Sequence, residues 1–80
     1  MDKKYNSLIQ FPSNQVGVVY EINAGRSLEK RLISMGLYRG VEIKKLNQSF
    51  GPVLISINQT KLALGRGIAN KIIIEYQNEK

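Results

Sequence analysis

Cysteine and histidine are both absent from the 80 residues. Without cysteine there is no disulfide and no thiolate metal site, which points to a reducing compartment or to indifference to redox. Without histidine the chain lacks the commonest metal ligand and the commonest general base. Carboxylates are few. Asp2, Glu21, Glu29, Glu42, Glu75 and Glu79 stand singly, and no spacing puts two of them on one helix face or on adjacent strand positions. Paired acid–base catalysis and a carboxylate metal cage therefore have no support, and these residues read as solvated surface. Serine, threonine and lysine nucleophiles lack a histidine to activate them. The expectation is a protein that is not an enzyme, with no catalytic, metal or cofactor-binding residue. No apolar run approaches the roughly 18 residues that span a bilayer. The opening Met1-Asp2-Lys3-Lys4-Tyr5-Asn6 lacks the apolar core of a signal peptide. The chain is expected to be cytoplasmic, without direct membrane insertion, and associated with a membrane only through a partner.

What is present is positive charge. Lysine plus arginine number 12 against 6 acidic residues, a net +6. Such an excess suits an acidic partner, nucleic acid or an anionic membrane surface, and it equally suits a domain that is merely kept soluble. The candidates for a nucleic-acid surface are Lys30, Arg31, Arg39, Lys44, Lys45, Lys61, Arg66 and Lys71. No run exceeds two adjacent basic residues. Of the aromatic residues only Tyr38 stands beside one of these, Arg39, so stacking platforms for a single strand are sparse and nucleic acid is disfavoured. Gly65-Arg66-Gly67 lacks the spacing of a dinucleotide or phosphate loop and reads as a turn.

Eighty residues bound the chain to one domain with a small core. Residues 1–6 and 77–80 are polar and expected to fray. Within 7–12, Leu8, Ile9 and Phe11 can cover an open end of the core. Residues 12–15 form a turn, in which Asn14 tolerates a left-handed backbone. The first strand is 16–22, with Val16, Val18, Tyr20 and Ile22 on the inner face, Val19 outside, and Gly17 marking a bulge or a close approach. In 41–48 the alternation of Val41 and Ile43 slips at Lys45, and a bulge near Lys44 or Lys45 would return Leu46 to the core. Residues 49–52 turn. Val53, Ile55 and Ile57 face inward on the next strand, with Leu54 outside. Asn58-Gln59 links it to 60–64 as a hairpin. Residues 65–71 make one helical turn, and 72–76 form the last strand. The predicted fold is mainly β: a small SH3-like barrel of about five strands, one short α-helix and a final helical turn. The strand 53–57 is read as an exposed edge that allows pairing between subunits.

The chain is organised around residues 27–40. Ser27 reads as the N-cap and Glu29 suits the first turn. Leu28, Leu32 and Met35 recur at i, i+4 and i+7 as one apolar stripe that plugs the barrel. Gly36 falls at the left-handed cap position, where Leu37 can fold back as its apolar contact, and Gly40 serves a turn. Ile33 lies off the stripe. With Leu37, Tyr38, Arg39 and Arg31 it makes a candidate partner-binding patch of the composition found in interface cores.

These residues resemble a known family. Leu28-x3-Leu32-x2-Met35-Gly36-Leu37-x2-Gly40-x2-Ile43, followed by Leu62-Ala63-Leu64, Ala69 and Ile72-x-Ile74, is similar to the FeoA family, as is Gly17-x-Val19-x2-Ile22. The likeness covers about residues 8–76. Departures are Arg39 in place of a usual proline, Asn14 and Asn58 in place of glycines, and Gly65 and Gly67 in place of charged residues. The resemblance implies a small cytosolic SH3-like accessory protein of ferrous iron uptake. Its implied partner is FeoB, a membrane transporter with a cytoplasmic GTP-binding domain, and the family is associated with transition metals. The alternative is a nucleic-acid-binding SH3-like or Sm-like barrel. A ferrous-iron chaperone is a third reading, and calorimetry with ferrous iron is expected to show no binding; measurable heat of binding would restore it.

Overall fold

A computed structural model describes residues 3–47 and 50–77. Six strands form one antiparallel sheet: β1 (Tyr5–Ser7), β2 (Val16–Ile22), β3 (Glu42–Lys45), β4 (Val53–Ile57), β5 (Thr60–Leu64) and β6 (Ile72–Tyr76), with helices α1 (Arg26–Ser34) and α2 (Arg66–Ala69). Their order in the sheet is β1-β6-β2-β3-β4-β5. The sheet bends round a core that includes Leu8, Phe11, Ile43, Ile55, Ile72 and Ile74, each at most 1% exposed. The result is a small SH3-like barrel.

Several details depart from the pattern read in the sequence. Tyr5–Ser7 is a strand on the edge of β6, not a frayed end, so the barrel has six strands rather than five. Residues 1, 2, 48, 49 and 78–80, which include parts of the expected fraying and of the 49–52 turn, lie outside the described residues. The edges of the sheet are β1 and β5; β4 is paired on both sides and is not an edge. In β2 the inward residues are Gly17, Val19 and Ile22, whereas Val16 and Val18 are half-buried and Tyr20 is exposed. The cause is a bulge: the register with β6 shifts between Val19 and Glu21, so one extra residue separates the two halves of the inner face. The displaced Tyr20 ring packs on Tyr5, with centroids 4.4 Å apart. In β3 no register shift occurs against β4, and Lys45 itself turns inward while Leu46 is half-buried.

The residues expected to be special on backbone grounds sit where the turns are. Asn14 has φ 64°, and Asn58 and Gln59 have φ 48° and 72°, both left-handed as a two-residue hairpin needs. Gly17 marks a close approach. A Cβ there would collide with Ile74 Cγ2 and would lie 2.8 Å from Phe11 Cζ and 3.0 Å from the Glu75 carbonyl oxygen. Gly17→Ala should therefore cost about 1–3 kcal/mol by overpacking, read as a lower urea midpoint. A midpoint equal to wild type would show that β2 and β6 can separate freely.

Candidate docking surface

α1 begins at Arg26 with Gly25 as its N-cap, and no side chain caps it. Ser27 is exposed and already inside the helix, so it is not the cap. The end of α1 is better defined. The Gly36 amide donates to the Ile33 carbonyl and the Leu37 amide to the Leu32 carbonyl, both at 2.9 Å. These are the two bonds of a Schellman cap, with Gly36 left-handed at φ 93°. The reversal brings Leu37 back onto the core beside the chain it has just left, and Leu37 and Leu32 are 0% and 1% exposed.

This geometry sorts the candidate residues. Leu37 is fully buried and offers no surface to a partner, which corrects its place in the patch. Met35 is the C-cap residue and is 42% exposed, so it does not extend the apolar stripe. Leu28 is half-buried against the core, and Leu32 alone of the three is buried. Ile33 and Tyr38 are 49% and 45% exposed, and Arg31 and Arg39 are exposed as well. Tyr38 and Arg39 are carried by the next turn. There the Val41 amide donates to the Tyr38 carbonyl, and the Gly40 amide, at φ 94°, donates to Val19 of β2. Arg39 Nε lies 3.8 Å from Glu29 Oε2, a long pair on a wet surface that fixes little. Arg31, Ile33, Met35, Tyr38 and Arg39 thus project from one stretch of backbone, clamped from below by Leu32 and Leu37. The sequence signal for Met35 was present: the residue before a left-handed glycine cap has left the regular helix.

Lys45, read in the sequence as one of the basic candidates for a nucleic-acid surface, is corrected by the structure to a core position. It is 2% exposed. Its ammonium donates to the Ile9 carbonyl at 2.9 Å and the Phe11 carbonyl at 2.8 Å. Its backbone bonds the 14–15 turn at both ends, accepting from Asn14 and donating to Gln15. Burial, and then the charge of Arg66, lowers its pKa from the ordinary 10.5. Among the described residues no group of three metal-ligating side chains occurs, and no helix is long and apolar enough to cross a membrane.

Comparison with known proteins places these features in a family. The family model described as FeoA domain matches residues 6–76. A putative Fe(2+) transport protein A of Methanocaldococcus jannaschii is 41% identical over 58 residues, covering 72% of this chain and 71% of that protein. The crystal structure of an iron uptake regulatory protein, FeoA, matches with a TM-score of 0.79 at 31% identity over 89% of this chain and 95% of its own. A manganese-dependent transcriptional repressor matches with a TM-score of 0.84 at 18% identity, over 96% of this chain and 44% of its own, a likeness of fold alone.

The Lys45 bonds set a stability test. Lys45→Met leaves two carbonyls of the 8–11 turn without their donor, and should cost about 1–3 kcal/mol near neutral pH. The sign with pH follows from the lowered pKa. Just below 10.5 the unfolded chain still holds a proton that the folded chain has released, so this group makes the fold more stable as pH rises through that window. At lower pH its contribution is constant. The stability gap between wild type and Lys45→Met should therefore widen on approaching that window from below. A gap that narrows there would overturn the assignment.

Proposed function

The chain belongs to the FeoA family, and on that premise we propose that it is a non-catalytic accessory protein of Fe(2+) transport. In this reading it works on the cytoplasmic side and docks on the GTP-binding region of the membrane iron transporter FeoB, regulating or assembling it. The observation that supports this is the exposed set Ile33, Met35 and Tyr38 with Arg31 and Arg39, held on a backbone that the buried Leu32 and Leu37 keep in place. Exposed aliphatic and tyrosine side chains beside arginine are what central contact residues of interfaces are made of. A rigid presentation lowers the ordering cost of binding. Nothing in this surface asks for a titrating group or a nucleophile, so its work is contact.

The test is a pull-down with the cytoplasmic region of the transporter, using wild type, Ile33→Glu and Arg39→Glu. Both positions are exposed, so both variants should keep the wild-type melting midpoint to within a few degrees. Each is expected to lose about tenfold or more in retained complex. Wild-type binding in both variants would remove this surface from the interface, and no binding by wild type would refute the partner. RNA or duplex DNA binding with a steep salt slope would instead favour a nucleic-acid barrel.

A further inference from the structure

The sheet has two open edges, β1 and β5. β1 is three residues long, a short edge that templates little. β5 has five residues, contains no proline and pairs with β4 from Thr60 to Leu64 without a register shift. The direction of its backbone groups follows from its neighbour. The Leu54 carbonyl accepts from the Leu46 amide at 2.8 Å, and the Leu54 amide donates to Asn47 Oδ1 at 2.9 Å. Both Leu54 groups are thus turned to the segment that follows β3. Leu54 lies opposite Ala63, so these two residues exchange no bond, and the Ala63 amide and carbonyl face off the edge. Two residues away, those of Lys61 do the same. Two donors and two acceptors stand in a row, spaced for one more antiparallel strand.

The side chains along this edge say what kind of strand fits. Lys61 and Ala63 are both exposed. Lys61 lies opposite Ser56, and Ser56 opposite Lys44, so two cations share one cross-strand row. Glu42 is not in that row; it lies opposite Val18 on β2. Among the described residues the ion pairs are Lys3–Glu75 and Arg39–Glu29, and neither Lys44 nor Lys61 takes part in one. A lysine on an edge repels a second copy of a chain with net charge +6. The same lysine attracts a carboxylate set opposite it. Ala63 is small, and the neighbouring Leu54 is 38% exposed. A large apolar side chain opposite Ala63 can therefore reach across it onto Leu54.

We propose that β5 receives an extended acidic segment of a partner protein as a further antiparallel strand, with a carboxylate opposite Lys61 and a large apolar side chain opposite Ala63. Main-chain bonds at 61 and 63 hold the segment, and the two side-chain pairs select it. No residue of the α1 surface lies on β5, so this site stands or falls apart from the docking surface.

The test titrates the full chain with the blocked peptide acetyl-Thr-Thr-Phe-Val-Glu-Thr-Thr-amide and follows backbone amide resonances by NMR. Run antiparallel, its phenylalanine falls opposite Ala63 and its glutamate opposite Lys61. The Lys61 and Ala63 amides are expected to shift saturably. A peptide with lysine in place of the glutamate should bind about threefold more weakly or worse. Lys61→Glu, at an exposed position, should reverse the order of the two peptides. Ala63→Pro removes an N–H that β4 does not use, so it spares the β4 ladder, and it should weaken the acidic peptide about tenfold or more. Lys61→Glu gives its answer even if Ala63→Pro fails to fold. The proposal is overturned if the peptide leaves the two amides unmoved, if Lys61→Glu keeps the wild-type order of peptides, or if folded Ala63→Pro binds as wild type. Movement of the same amides on concentrating the chain alone would make a second copy the occupant and overturn the acidic segment.

Discussion

A single ammonium group ties the two ends of this barrel's logic together. Closing one end requires the 8–11 turn to lie over the core, since Leu8 and Phe11 are both 0% exposed. A turn buried in that way brings its carbonyls out of water, and each needs a donor or costs about 1–3 kcal/mol. Lys45 supplies donors to Ile9 and Phe11 from inside β3. Its four methylenes fill the space an aliphatic residue would take, and its charged tip satisfies the turn. The same side chain also lines an adjoining cavity, together with Arg66.

The second organising feature is the chain reversal after α1. A helix of nine residues is too short to persist alone in water, and its end is secured by the two cap bonds and by burying Leu37 against Leu32. That arrangement determines which side chains face out. One residue before the glycine, Met35 is left at the surface; one residue after it, Leu37 is carried into the core. The exposed Ile33, Tyr38 and Arg39 therefore rest on a part of the backbone that cannot shift without opening the core. In the docking reading proposed above, this supplies a preformed surface at little ordering cost.

Much of the fold was legible because local rules and tertiary needs agree. The left-handed positions at Asn14, Asn58, Gly36 and Gly40 were marked by residue types that tolerate them. Inward Val53, Ile55 and Ile57 followed from simple alternation. Where the two disagree, the reading slipped. In β2 the alternation from Val16 to Ile22 is unbroken in the sequence, yet a bulge at Tyr20 reverses the inner face of its first half. The reason is that β6 comes close enough at Gly17 to exclude any side chain, while the Tyr20 ring gains a tilted contact with the Tyr5 ring. Of the α1 patch, Arg31, Ile33, Tyr38 and Arg39 could be placed outside from helical projection and turn position. Leu37 could not, because the same residue satisfies both a cap contact and a surface contact until the reversal is seen.

The sequence by itself determined that no metal cage of cysteine and histidine and no histidine-driven catalysis could exist here, that the chain is cationic, and roughly where β2 to β6, the Asn58-Gln59 hairpin link and the glycine cap fall. These are properties of composition and of neighbours along the chain. Only the tertiary structure decided that a lysine belongs in the core, that Leu37 is inside and Met35 outside, and that Tyr5–Ser7 is a strand. Each of those depends on a partner distant in sequence: carbonyls 9 and 11 for Lys45, the buried Leu32 environment for Leu37, and β6 for β1. A pattern of apolar and polar residues specifies which side chains seek cover, but the shape that covers them exists only once the sheet has curved.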